Sequence, residues 1–197
     1  MRIIAGQFKG RILAAPKGQT TRPTTDRVRE ALMSAIGSAR GGFQDACVLD
    51  AFAGSGALGL ESLSRGAAYA CFYENNADTF KVLASNSALL KVSEKSLRIN
   101  RCDILKHPPL SQYPAFDLVF LDPPYALEAF KVFSLIEALA GRDALADDAL
   151  ICYEHDKAHD LAVDSNGGVL QTSLPLTIVS HKVYGDSAID LLRKEHS

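Results

Sequence analysis

A chain of 197 residues with 47% hydrophobic content is long enough to enclose one full core plus a short appendage, and its formal net charge of −2 argues, taken overall, against a uniformly basic nucleic-acid binder. No apolar run approaches the roughly 20 residues of a membrane span, and the opening Met-Arg-Ile-Ile-Ala-Gly lacks a signal-peptide core, so a cytoplasmic protein is expected. Cys47, Cys71, Cys102 and Cys152 are never spaced as C-x-x-C and each falls in a strand-like run, which predicts buried reduced thiols and neither a disulfide framework nor a metal site.

Charge is unevenly spread along the chain. Residues 1–40 hold eight basic side chains against two acidic ones, a net of +6, which leaves −8 for the other 157. That basic start is an electrostatic footprint for a phosphate backbone, with a solvated positive face as the plainer alternative. Within it, Ile3-Ile4 and Ile12-Leu13 surround a glycine-bounded turn and predict a hairpin carrying Arg2, Lys9 and Arg11. Residues 16–23 read as a polar loop containing Arg22. Thr24 or Thr25 then caps a helix whose Val28, Leu32 and Ile36 recur at i, i+4 and i+8 and which ends at Gly37, placing Arg27 and Arg29 off the buried stripe.

From residue 46 strands and helices alternate. Strands are expected at 46–52, 69–74, 96–102, 116–121 and 148–154, with helices near 56–65, 76–90 and 127–140, which makes a parallel α/β sheet. Phe116 and Phe120 on the fourth strand are core residues. Around residue 155 the pattern turns polar: His155 and His159 stand at i, i+4 beside Glu154, no third ligand follows at a diagnostic distance, and 155–157 reads as a solvated loop. The tail has apolar runs at 176–183 and 188–192 joined by Tyr184-Gly185-Asp186-Ser187, a hairpin signal, before a frayed end at 193–197. The expected division is a basic extension over 1–40 and an α/β domain over 41–197.

Two stretches carry chemistry. In the first, the apolar strand ending at Asp50 runs through Phe52 and Ala53 into Gly54-Ser55-Gly56 and on to Gly59, a strand, glycine turn and helix fitting G-x-G-x-x-G. Glu74, at the end of the second strand, stands where a carboxylate accepts from ribose hydroxyls, so a nucleoside cofactor is expected. Carboxylates beside the glycine turn favour a ligand carrying an ammonium and a sulfonium over one carrying a diphosphate. In the second stretch, Leu-Val-Phe-Leu runs into Asp122-Pro123-Pro124-Tyr125. Two prolines stop the ladder and leave carbonyls to accept from another group, Asp122 adds a second acceptor and Tyr125 a stacking face, which describes a pocket for a planar base bearing an exocyclic amine. A strand-terminating turn is the bland alternative.

Asp50-Ala51-Phe52-Ala53-Gly54-Ser55-Gly56 together with Asp122-Pro123-Pro124-Tyr125 resembles the class I S-adenosylmethionine-dependent amino-methyltransferases. The pieces Arg2-Ile3-Ile4-Ala5-Gly6, Lys9-Gly10-Arg11 and Thr21-Arg22-Pro23-Thr24-Thr25-Asp26-Arg27-Val28-Arg29-Glu30-Ala31-Leu32 narrow the likeness to the bacterial 16S ribosomal RNA guanine-N2 methyltransferase family. Met33-Ser34 is a small departure, affecting packing more than chemistry. The resemblance covers nearly the whole chain and implies a Rossmann-like class I fold, its seven-stranded, mostly parallel sheet ending in an antiparallel hairpin. It implies S-adenosyl-L-methionine as cofactor, held by Asp50, Phe52, Ala53, Gly54, Ser55, Gly56, Glu74, Asn75, Asp103, Ile104 and Asp122. Asp103 would meet the adenine amino group, and the segment with Thr24 and Thr25 would close over the methionine end. Catalysis would fall to Asp122, Pro123, Pro124 and Tyr125, and RNA contact to Arg2, Lys9, Arg11, Arg22, Arg27 and Arg29. The implied partner is 16S ribosomal RNA, within a 30S subunit or assembly intermediate, and the implied state a monomer.

The exocyclic amine of guanine is a poor nucleophile because its lone pair is delocalised, so the enzyme has to fix it. Asp122 and the Pro123 carbonyl would accept its two N–H groups and turn the lone pair toward the methyl. Asp122 or water then takes the proton. A DNA adenine-N6 or protein-glutamine methyltransferase shares the Pro-Pro-Tyr strand end; the basic arm disfavours a protein substrate, and no separate target-recognition domain is evident for DNA. A non-catalytic RNA- or nucleotide-binding module is the third possibility.

Overall fold

The structure, a computed structural model, describes residues 1–16, 26–110, 114–124, 126–158, 161–162, 169 and 171–196. It divides into two compact units, Met1–Cys102 and Asp103–Ser197. In the first, α1 (Asp26–Arg40), β1 (Cys47–Asp50), α2 (Ala57–Ser64), β2 (Tyr69–Tyr73), α3 (Ala77–Leu90) and β3 (Leu97–Asn100) follow in order. In the second, β4 (Phe116–Leu121) and α4 (Ala129–Ala140) precede β5 (Leu145–Asp156), β6 (Leu176–Tyr184) and β7 (Ser187–Lys194). The described strands make a seven-stranded, mostly parallel sheet, running β3-β2-β1 in the first unit and β4-β5-β7-β6 in the second. β1 pairs parallel with β2 from Cys47↔Tyr69 to Asp50↔Phe72, and β2 parallel with β3. β4 pairs parallel with β5, whereas β7 runs antiparallel to both β5 and β6. This is the Rossmann-like fold with a C-terminal antiparallel hairpin that the sequence led us to expect. Among the described residues no helix is long and apolar enough to cross a membrane.

The parallel strands are short and apolar because both their faces are covered. All four residues of β1 are buried, and Phe72, Phe116, Phe120 and Phe133 are among the largest side chains wholly removed from solvent. Burying each such side chain contributes about 1.5–3 kcal/mol. Phe116 and Phe120 are thus core residues as expected. Cys47, Cys71 and Cys152 lie buried in strands, whereas half-buried Cys102 falls just beyond β3, outside the strand run assigned to it.

Four further expectations are corrected. First, α1 does not end at Gly37 but continues to Arg40, where Gly41 and Gly42 take φ of +85° and +111° and stop it. Leu32 and Ile36 are buried as expected, but the stripe also takes in Arg29 and Met33, while Val28 is only half-buried at its margin. Arg29 is 3% exposed and donates to Asp26 Oδ1 at 2.9 Å and to the Arg2 carbonyl at 2.5 Å. A buried guanidinium committed to a carboxylate and a carbonyl is not an RNA contact, and Arg29 drops out of that set. An aliphatic reading of the helix could not see this, because the pairing makes a charged residue an inside residue.

Second, β5 runs from Leu145 to Asp156 instead of 148–154. Asp147-Asp148 resembles a loop in sequence. In the structure Asp148 takes φ +58° beside a register shift between Phe116 and Leu118, and Asp147 pairs with Lys194 on β7. Third, the end of the chain is not frayed through residue 194, since Lys194 is buried and closes β7. Fourth, His155 is not in a solvated loop. It is buried in β5, with Nε2 2.8 Å from Asp190 Oδ2 and Nδ1 3.0 Å from the Asp156 carbonyl. The other oxygen of Asp190 lies 2.7 Å from His181 Nδ1. Asp190 is 1% exposed, and the two rings on neighbouring strands provide the partners that allow a carboxylate there.

Replacing it by Asp190→Ala leaves a buried imidazole facing a cavity in place of its carboxylate. The expected loss is about 3 kcal/mol of stability, read as a lowered urea midpoint; an unchanged midpoint would show that the pair contributes nothing.

Candidate active site

In the first unit the glycine turn is tied together by its own carboxylates. Asp50 closes β1, is 3% exposed, and accepts the Gly59 N–H of α2 through Oδ2 at 3.1 Å. Burial raises its carboxyl to about 7; the Gly59 hydrogen bond lowers it and the nearby Glu74 charge raises it. Glu74, just past β2, uses both oxygens: Oε2 accepts Gly54 N–H at 3.0 Å and Oε1 accepts Asn76 N–H at 2.7 Å. Ala53 N–H donates to the Tyr73 carbonyl at 2.9 Å and Gly56 N–H to the Ala53 carbonyl at 2.7 Å. Phe52 is half-buried and Ser55 buried, while Asn75 is exposed beside Glu74. At Gly59 a Cβ would stand 2.3 Å from Phe72 Cε1, so only glycine lets α2 lie this close to β2.

This arrangement bears on the ligand. A diphosphate at a glycine turn is held by backbone N–H groups. Here the N–H groups of Gly54, Gly56 and Gly59 are already taken, two of them by carboxylates. What the turn offers instead is the Glu74 carboxylate beside Gly54, which suits a cationic nucleoside.

In the second unit β4 carries its apolar run to buried Leu121, after which Asp122 is exposed, Pro123 buried and Pro124 exposed. The expectation that both proline carbonyls await an outside donor is corrected in part, since the Pro124 carbonyl accepts Leu127 N–H at 2.8 Å and closes the turn into α4. Tyr125 lies outside the described residues. Asp103 uses Oδ1 to accept Leu105 N–H at 3.0 Å, with Oδ2 3.8 Å from Lys106 Nζ, and Ile104 beside it is buried.

The N-terminal residues form a turn whose two arms meet at one isolated bridge, Arg2↔Ile12, and through Ile3 N–H to the Arg11 carbonyl at 2.9 Å, short of the regular strands of a hairpin. Arg2, Lys9, Arg11 and Arg27 are exposed, and Arg2 Nε lies 2.9 Å from Asp26 Oδ2. Arg22, Thr24 and Thr25 lie outside the described residues. What sequence reasoning missed is how this arm is fastened. Glu61 on α2, fully buried, accepts Ile4 N–H at 2.7 Å and Ala5 N–H at 3.0 Å and pairs with Arg65 at 2.9 Å. Ser64 Oγ accepts Phe8 N–H at 3.0 Å, and a Cβ on Gly6 would run into the Ser64 carbonyl. The one available signal was a glutamate set in the otherwise apolar run Leu58-Gly59-Leu60-Glu61 with an arginine four residues on.

Residues 1–193 match the family described as conserved hypothetical protein 95. The ribosomal RNA small subunit methyltransferase D of Haemophilus influenzae is 36% identical over 187 residues, 93% of each chain. Its counterpart in Escherichia coli is 38% identical over 161 residues, 82% of this chain and 77% of that one. The chain belongs to this rRNA methyltransferase family. The solved structure of yhhF from Escherichia coli agrees, with a TM-score of 0.79 and 35% identity over 100% of this chain and 99% of that one. S-adenosylmethionine is the methyl donor of such an enzyme. The turn fits it, because its glycine N–H groups are already bonded to Glu74, Asp50 and the Ala53 carbonyl, leaving none for a diphosphate, and the Glu74 carboxylate stands beside them.

A carboxyl raised to about 7 by burial holds its proton in the folded state while the unfolded chain releases it near 3.8. Its favourable contribution is therefore full below about pH 4 and lost as pH rises through 7. Relative to Asp50→Asn, the wild-type chain is expected to lose at most about 4 kcal/mol between those limits and nothing further above them. Urea unfolding of both proteins at pH 5 and pH 8 measures this; parallel pH profiles would refute it.

Proposed function

We propose that the chain transfers the methyl group of S-adenosylmethionine to the exocyclic N2 of a guanine in the 16S ribosomal RNA of the small subunit, acting as a cytoplasmic monomer on a 30S particle or assembly intermediate. The observation that carries this is the end of β4: a buried strand delivers Asp122 to the surface and two prolines stop it there. No packing need calls for an exposed carboxylate in that position. The likeness to methyltransferases named for small-subunit ribosomal RNA supports the acceptor class.

In this reading the donor sulfonium supplies an activated methyl, and the chain's own residues do the rest. Asp50, the turn 52–56, Glu74 and Asn75 orient the donor, with Asp103, Ile104, Thr24 and Thr25 assigned to its adenine and methionine ends. Asp122 and the Pro123 carbonyl accept the two N–H bonds of the target amine, so that its lone pair lines up with the methyl. Pro124 closes the turn that presents them and Tyr125 stacks on the extruded base. As the N–C bond forms and the S–C bond breaks, one amine proton leaves to Asp122 or water. Arg2, Lys9, Arg11, Arg22 and Arg27 hold phosphates.

The test is transfer of a labelled methyl from S-adenosylmethionine to unmodified 30S subunits, naked 16S RNA, duplex DNA and protein extract, with nucleoside analysis. N2-methylguanosine in RNA is expected; label only in DNA adenine or protein glutamine would overturn the acceptor assignment. Asp122→Ala is expected to slow single turnover at least about 100-fold, with donor affinity within about twofold of wild type by calorimetry. A normal single-turnover rate would remove Asp122 from the mechanism. Lys9→Ala with Arg11→Ala is expected to weaken RNA binding and flatten the log-affinity against log-salt slope by about one for each phosphate no longer neutralised; an unchanged slope would place the RNA elsewhere.

A further inference from the structure

One side chain touches both the basic arm and the glycine turn. Asn86 lies in α3 and is 2% exposed. Its Oδ1 accepts Ala14 N–H at 2.8 Å, while Nδ2 donates to the Ala14 carbonyl at 3.0 Å and to the Ser55 carbonyl at 2.9 Å. Only one orientation of the amide meets a donor and two acceptors at once, so its oxygen and nitrogen are assigned by the neighbours themselves. Both amide hydrogens are spent, one on the last part of the arm and one on the turn. Toward Ala14 the amide behaves as a peptide of a neighbouring strand would, giving and taking one bond. Ser55 adds a weaker tie, its Oγ standing 3.7 Å from Met1 Sδ. The rest of the arm is pinned to α2 by Glu61 and Ser64.

An asparagine needed only to fill space in α3 would not satisfy three backbone groups drawn from residues 14 and 55. The peptide at Ser55 cannot rotate without losing its bond to Nδ2, and that nitrogen cannot move without disturbing Ala14. The bond to the Ser55 carbonyl is buried, so orphaning that carbonyl is costly, whereas Ala14 is itself exposed and its two bonds to Asn86 are part-buried.

We infer that Asn86 is a positioning residue that couples the glycine turn to the N-terminal arm, so that donor binding at the turn orders the surface offered to RNA. This rests on the reading given under Proposed function, in which the turn holds the donor and the arm holds the RNA. Two sites that share one ordered link also share the cost of ordering it, and the coupling is reciprocal: RNA on the arm tightens the donor by the same factor.

The test is amide hydrogen exchange by NMR on the full chain, with and without S-adenosylhomocysteine, the demethylated donor. Amides of β6 and β7 report the general stabilisation that any ligand brings. In the wild-type protein, exchange at Ala14 is expected to slow at least about tenfold beyond that reference. In Asn86→Ala, and in Asn86→Ser should the alanine variant fail to fold, the turn at 53–56 stays protected while the extra protection at Ala14 falls below about twofold. Protection of the turn without any at Ala14 in the wild-type protein, or equal protection of Ala14 in the variants, overturns the coupling. Absence of protection at 53–56 in the wild-type protein overturns instead the placement of the donor, and the coupling with it.

Discussion

The close approach of α2 to β2 at Gly59 is the constraint on which the first unit depends. A helix following a strand this directly has to be held at its start, and Asp50 does so by reaching past the turn to the Gly59 N–H. No side chain fits between α2 and the Phe72 ring at that point. With α2 fixed, the six residues between β1 and α2 have little freedom, and Glu74 takes the remaining slack by binding Gly54. The cost is a carboxylate taken out of water, and the raised proton affinity of Asp50 is the direct expression of that burial. Binding a cationic nucleoside here would relieve it.

Carboxylates do the same work elsewhere in the unit. Glu61, buried on α2, gathers two arm amides and the Arg65 guanidinium. Arg29, buried on α1, is answered by Asp26, which also reaches Arg2. Buried charges of this kind are tolerated only when paired. Their partners lie between 3 and 57 positions away in sequence. The arm is therefore more than a basic flap: its backbone is built into the helices, and its exposed cations project from an ordered base.

The second unit solves a different problem. β7 enters antiparallel between β5 and β6, and its inward Asp190 meets His155 from one strand and His181 from the other. The triad ties all three strands through one carboxylate. At the other side of this unit β4 ends where the prolines require it, and the Pro124 carbonyl turns the chain into α4. Strand pairing and strand termination together leave Asp122 at an exposed edge.

The sequence by itself determined the α/β alternation, because apolar runs of strand length separated by helical ones admit few other arrangements; β4 falls on 116–121 as read, and α3 within one residue. It also determined the glycine turn, the Asp-Pro-Pro strand end and the basic arm, since each is a local pattern whose cause lies in neighbouring residues. Tertiary structure alone decided which charges are inside. Arg29 sits on an aliphatic stripe, His155 in a strand, and Glu61 and Asn86 at the base of the arm, because each meets a partner that is remote in the chain or supplied by another element's backbone. A polar side chain carries no mark of the partner it will find, and its burial becomes favourable only once the fold has brought the two together.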